Sequence, residues 1–117
     1  MKMIVAIIRP EKLEAVQQAL NERDVYLMTV SDVRGCGRQR GYTEVYRGTE
    51  IKIRLLPKIK VEIAVNEAFV EATVEALVHA ARTGETGQIG DGKIFVLPLE
   101  DCIRIRTGER GGQAIGP

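Results

Sequence analysis

At 117 residues the chain suits a single domain, and its core will be small enough that association with further copies is expected. A formal net charge of +1, from 17 Lys and Arg against 16 Asp and Glu, is too balanced to argue for nucleic acid or a membrane surface as partner. The 44% apolar and 28% charged fractions are those of ordinary soluble globular proteins.

The first element is the apolar run from Lys2 to Arg9, which reads as a central strand covered on both faces. Met1 to Ile8 is too short for a secretory hydrophobic region or a membrane span, so a cytoplasmic location is expected. Pro10 stands where a helix would begin. Leu13, Val16 and Leu20 then recur at helical spacing among polar residues, which predicts a surface helix ending near Asn21–Asp24. Val25 to Arg34 has the β-propensity of a second strand and stops at Gly35-Cys36-Gly37. Cys36 and Cys102 are in no metal-ligand spacing and are read as reduced.

From Cys36 to Leu56 the pattern loosens, with Arg38, Arg40, Arg47, Lys52 and Arg54 against Glu44 and Glu50. A connection of this length in a small domain is usually functional. It reads either as a solvated hairpin, since 43–46 and 51–54 alternate, or as a mobile partner-binding loop, the reading favoured here. Lys58 to Val65 is the clearest strand, with Ile59, Val61, Ile63 and Val65 on one face and Lys58, Lys60, Glu62 and Ala64 on the other. Asn66 suits an N-cap. Phe69, Val70, Thr73, Val74, Leu77 and Ala81 form a buried helical stripe, opposite Glu71, Glu75, His79 and Arg82. His79, the single histidine, lies on the polar face and reads as solvated rather than as a ligand or base.

Thr83 to Lys93 carries four glycines (Gly84, Gly87, Gly90 and Gly92) and closes on a lysine. Successive N–H groups in such turns make an anion-binding concavity, and a lysine adds a point charge for phosphate. A helix C-cap and tight turn would account for Gly84 and one more glycine, but not for four plus Lys93. Ile94 follows the lysine, so this is not a Walker A loop, and no strand precedes it as a dinucleotide fingerprint requires. Lys93 to Leu97 is a fourth strand ended by Pro98. Cys102 to Arg106 reads as a short fifth strand, with Arg104 and Arg106 on one face. The pair is either an exposed edge-strand device or part of a polyanion site with Lys58, Lys60 and Lys93. The tail 108–117 is glycine-rich and read as loose.

Strand–helix–strand, long loop, strand–helix–strand is the split βαβ repeat of an α+β, ferredoxin-like sandwich with an antiparallel sheet, here one domain over 1–117. Both helices lie on one sheet face, and the other face needs covering, most simply by an oligomer. Phosphoryl-transfer enzymes and RNA-recognition domains share this topology. No general base stands beside the glycine loop, and no Ser–His or Cys–His pair is visible. With two Phe and three Tyr, the strands lack the aromatics that stack RNA bases.

The sequence resembles the PII signal-transduction proteins of nitrogen metabolism over essentially its whole length. The resemblance is carried by Ile7-Ile8-Arg9-Pro10-x-Lys12-Leu13, by the segment from Gly35 to Gly48, by Leu56-Pro57-Lys58-Ile59-Lys60, by Ile89 to Val96, and by Ile103 to Glu109. It implies a homotrimer that does no catalysis. Such a protein senses nitrogen, carbon and energy status by binding ATP or ADP between subunits, with 2-oxoglutarate next to Mg²⁺-ATP. It regulates ammonium transporters or nitrogen-assimilation enzymes through the loop at about 36–56. A ferredoxin-like nucleotide-binding enzyme with slow ATP hydrolysis is the alternative.

Residue by residue, the resemblance implies phosphate binding by Gly90, Gly92 and Lys93, with Asp91 and Gln39 also among the nucleotide-binding residues and Arg104 and Arg106 reaching in from a neighbouring subunit. Gly35, Gly37 and Arg38 fall at the loop base that closes over the nucleotide, and Ile7, Thr29, Glu62 and Ala64 where adenine and ribose are held. Gln39 matches the Mg²⁺ ligand, and Gln39, Arg40, Gly41, Lys58 and Gly90 the 2-oxoglutarate site. Tyr46, Arg47 and Gly48 fall in the partner-binding loop. Two departures stand out. Four residues separate Thr83-Gly84 from Ile89-Gly90, about three more than the family's usual spacing, which predicts a longer loop with altered nucleotide affinity. Ile51 stands where many bacterial members carry a modifiable tyrosine; it has no hydroxyl, so no nucleotidylylation is expected there, and Tyr46 and Thr49 are the nearby hydroxyls.

Overall fold

The computed structural model describes residues 1–36 and 55–116. Four strands form one antiparallel sheet in the order β2-β3-β1-β4: β1 is Lys2–Ile8, β2 Thr29–Gly35, β3 Leu56–Val65 and β4 Gly92–Pro98. Helices α1 (Leu13–Asn21) and α2 (Val70–Ala81) cover one face, each entered through a single 3-10 turn, Pro10–Lys12 and Glu67–Phe69. A short α3 (Gly112–Ile115) closes the described chain. This is the ferredoxin-like arrangement expected from the element order.

The core follows from the two periodicities. Ile4, Ala6 and Ile8 of β1 and Ile59, Val61, Ile63 and Val65 of β3 point to the helices and are buried. They meet Val16 and Leu20 of α1 and Thr73, Ala76, Leu77 and Ala81 of α2. The buried Thr73 hydroxyl donates to the Phe69 carbonyl at 2.7 Å, so no polar group is stranded there. Glu71, Glu75, His79 and Arg82 are exposed, as their spacing predicts.

The opposite face of the sheet has no layer over it among the described residues. Register places Thr29, Glu62, Val5 and Phe95 in one row across it, and Ser31, Lys60, Ile7 and Lys93 in the next. Phe95 is 48% and Leu97 44% exposed. Within a single chain the central strand is therefore covered by the helices on one side.

Four sequence expectations need correction. The second strand begins at Thr29, not Val25. The Val25 N–H donates to the Leu20 carbonyl at 3.0 Å, Asp24 takes φ 61°, and the Val25 side chain plugs the core, so this residue finishes helix α1. Asn66 precedes the second helical segment but makes no side-chain cap; its Nδ2 donates instead to the carbonyls of Gly112 at 3.2 Å and Gly116 at 2.8 Å. The tail is correspondingly anchored: α3 forms, and Ile115 is only 6% exposed.

The last correction concerns the fifth strand. A single bridge, Ile103 to Arg110, stands in its place, and residues 105–107 turn. The Gly108 N–H donates to the Arg104 carbonyl at 2.7 Å with φ 73°, a left-handed conformation that glycine adopts without strain and that reverses the chain too early for a strand. Arg104 and Arg106 thus do not share a strand face.

Candidate functional site: the glycine loop and the cationic end of the sheet

The loop between α2 and β4 is built around Asp91. Its Oδ1 accepts from the Thr83 hydroxyl at 2.6 Å and from Arg9 Nε at 3.0 Å; its Oδ2 accepts from the backbone N–H of Thr83 at 3.0 Å and of Gln88 at 2.8 Å. Arg9 Nη2 also donates to the Ile89 carbonyl at 2.9 Å. Thr83 and Gln88 flank the lengthened segment, so one carboxylate ties both of its ends together and fastens them to Arg9 beyond the end of β1. Burial disfavours the charge on Asp91, but the hydrogen bonds from Thr83, Gln88 and Arg9 outweigh it and hold the carboxyl well below the usual carboxylate range.

An aspartate inside a glycine loop would by itself repel an anion. Its charge is matched by Arg9 and covered by donors, so it organises the loop without strongly repelling an anion. Gly92 shows why the next position is glycine. Its φ is 113°, and a Cβ there would lie 1.7 Å from the Ile7 carbonyl oxygen of the central strand.

Lys58 donates to the Gly90 carbonyl at 2.8 Å, which joins the loop to β3. Burial lowers the affinity of its amine for a proton and the charge of Arg9 lowers it further, with Glu11 and Asp91 acting in the opposite direction. With Arg9 matched by Asp91, Lys58 and the exposed Lys93 supply the remaining positive charge around the loop. Beside them lies a cleft of about 720 Å³, floored by apolar residues of α2 and by Ile8 and Ile94, and rimmed by Thr86 to Ile89, Asp91, Gly92 and Lys93.

Of the residues singled out from sequence, Ile7, Asp91, Gly92 and Lys93 line this cleft, and Gly90 stands between its lining residues Ile89 and Asp91. Thr29, Glu62 and Ala64 share the uncovered sheet face, with Glu62 3.8 Å from Lys60. Gly35 ends β2, where a Cβ would lie 3.8 Å from Lys58 Cγ. Arg104 is held within its own segment by Glu109 at 2.8 Å and by the Gln113 carbonyl at 3.0 Å. Arg106 is exposed. Gly37, Arg38, Gln39, Arg40, Gly41, Tyr46, Arg47, Gly48 and Ile51, and with them the hairpin-or-loop question, lie outside the described residues. Sequence reasoning gave no role to Arg9, Thr83 or Glu109. An arginine ending an apolar strand immediately before Pro10 was the available signal for Arg9; Thr83 and Glu109 gave none, since their partners are set by loop geometry.

The fold and the fastened glycine loop define the class of small ferredoxin-like α+β domains. Comparison with known proteins narrows the class. The family model of nitrogen regulatory protein P-II matches residues 1–109. The chain is 53% identical over 115 residues to a nitrogen regulatory protein P-II of Rhodospirillum rubrum, covering 98% of this chain and all of that protein. It is 54% identical to nitrogen regulatory protein GlnK1 of Methanosarcina mazei, covering 98% and 97%. A nitrogen regulatory protein P-II 2 of Methanothermobacter thermautotrophicus is 55% identical over the same shares. The chain belongs to the nitrogen regulatory protein P-II family, and that membership implies a regulatory signalling role.

Proposed function

We propose that this protein is a non-catalytic sensor of nitrogen, carbon and energy status. It binds ATP or ADP, and 2-oxoglutarate beside Mg²⁺-ATP, at sites shared between subunits of a homotrimer. The loop at about 36–56 carries the state to ammonium transporters or nitrogen-assimilation enzymes in the cytoplasm. The observation that carries this reading is the Asp91-centred glycine loop with Arg9, Lys58 and Lys93 around it.

The residues present fit a polyphosphate. Lys93 is exposed and pairs in register with Ile7, and the charge of Asp91 is already matched by Arg9. Gly90, Gly92 and Lys93 would hold phosphate oxygens, and Lys58 a carboxylate of the oxoacid. The Mg²⁺ ligand assigned to Gln39 belongs to the same proposal. The uncovered face carries exposed Phe95 and Leu97 among its polar residues, which supports association through that face. Among the described residues no helix is long and apolar enough to cross a membrane.

The test is calorimetric titration of ATP and ADP into the protein and into Lys93→Ala. Loss of one charge-assisted phosphate contact is expected to weaken binding about 10- to 100-fold. A matched assay of phosphate release separates sensor from enzyme, and steady multiple turnover at a rate typical of enzymes would favour the ATP-hydrolysing alternative.

A further inference from the structure

Glu109 belongs to one of the motifs that carry the family resemblance, yet the proposed function gives it nothing to do. The structure places it against Arg104. Arg104 Nη1 donates to Glu109 Oε1 at 2.8 Å, while Nη2 donates to the Gln113 carbonyl at 3.0 Å and lies 3.4 Å from that of Ala114. The backbone repeats the link, with the Arg104 N–H donating to the Glu109 carbonyl at 2.9 Å. Nε and the second hydrogen on Nη1 are left over by these contacts.

The frame that holds this arginine is itself anchored. Asp101 accepts from Arg110 Nε at 2.9 Å and from the Gly111 N–H at 3.1 Å. Asn66 ties down the carbonyls of Gly112 and Gly116, and Ile115 is buried. Burial at Ile115 and side-chain bonds at two separated points therefore fix the carbonyls that Arg104 uses. Arg106, two residues on, is exposed and makes no hydrogen bond or ion pair among the described residues. A surface arginine with no such frame samples many rotamers, and ordering it on a ligand costs affinity.

We infer that Glu109 is a positioning residue that, with the carbonyls of the docked C-terminal segment, presets the Arg104 guanidinium for a polyphosphate. The inference rests on the reading in which Arg104 contacts bound nucleotide. Glu109 acts through geometry: its acceptor oxygen fixes the guanidinium, and its negative charge by itself opposes the anion.

The experiment is calorimetric titration of ATP and of adenosine into the full chain and into Glu109→Ala, Glu109→Gln, Arg104→Ala and Arg104→Ala/Glu109→Ala. Glu109→Ala is expected to weaken ATP about threefold to tenfold, the loss that follows when one long side chain must be ordered on binding. Adenosine affinity should be unchanged, because it has no phosphate for Arg104 to meet. Glu109→Gln keeps an acceptor and should retain or improve ATP binding. In the Arg104→Ala background the Glu109→Ala effect should vanish. The inference is overturned if Glu109→Ala leaves ATP binding unchanged, if adenosine weakens equally, or if the loss persists without Arg104. It is overturned too if Glu109→Gln loses as much as Glu109→Ala. Failure of the underlying nucleotide reading looks different, since the unaltered protein would then bind no ATP. Should Glu109→Ala not fold, Glu109→Gln and Arg104→Ala decide the matter: a loss in Glu109→Gln equal to that in Arg104→Ala would contradict it.

Discussion

Replacing Asp91 by asparagine probes the physical basis of the loop. The carboxylate accepts four hydrogen bonds, two from backbone N–H groups, one from a hydroxyl and one from a guanidinium. An amide of the same shape offers one oxygen and turns an NH₂ group toward donors. If its oxygen keeps Thr83 and Arg9, the N–H groups of Thr83 and Gln88 face another donor. Each unmet group costs about 1–3 kcal/mol when buried. Asp91 is 19% exposed, so water relieves part of that, and a total loss of about 2–3 kcal/mol is expected. Against a typical domain stability of about 5–15 kcal/mol this is readily measured.

The effect also has a pH signature. The Asp91 carboxyl is held well below its ordinary value in the folded protein, so between the two values the unfolded chain binds more protons. Its stabilisation is fully present above the unfolded carboxyl's value of about 4 and is lost as pH falls toward the folded value. The assay is urea unfolding of both proteins at one protein concentration, from pH 8 down to about pH 2.5. The gap between them should be constant above about pH 5 and narrow below about pH 4. Equal unfolding midpoints at neutral pH, or a gap that does not narrow in acid, would refute the reasoning.

Three further outcomes follow from the same geometry. Gly92→Ala combines a disallowed φ of 113° with a Cβ 1.7 Å from the Ile7 oxygen and should cost about 2–6 kcal/mol. Gly84→Ala, at φ 65° with nothing within 4 Å, should cost only about 1–2 kcal/mol, so equal thermal shifts for the two would contradict the steric argument. Asn66→Ala releases two carbonyls of the tail and should speed hydrogen exchange across 112–116 more than in β3; uniform protection would sink the anchoring role. Deletion of Glu85–Gly87 removes the extra loop residues, and ATP and ADP affinities should change; identical affinities would show that the added length has no bearing on nucleotide.

The parts of the fold that were legible in the sequence are those whose period is regular. Ile59, Val61, Ile63 and Val65 alternate, and all four are buried on one side of β3. Val16 with Leu20, and Thr73 with Leu77, mark helix faces in the same way. Glycine clustering located the loop, because few other residues tolerate its backbone conformations. What escaped depends on one side chain reaching across space. Val25 has β-propensity but serves as a core plug after a helix. A tail rich in glycine reads as loose, yet Asn66 and the burial of Ile115 dock it. The arginine pair at 104 and 106 fits strand alternation, whereas the Gly108 reversal and the Glu109 contact separate the two. In the site, the glycines and the lysine marked the loop, but that Asp91 is the hub and that Arg9 matches its charge follow only from the folded loop.

The measurement closest to the central claim is calorimetric titration of 2-oxoglutarate into the protein with Mg²⁺-ATP present, repeated with ADP, and then with Lys58→Ala. The account expects binding only with Mg²⁺-ATP, and its loss in the Lys58 variant. Absence of both nucleotide and 2-oxoglutarate binding would contradict the sensor reading. Nucleotide binding without 2-oxoglutarate would reduce it to a sensor of energy status alone.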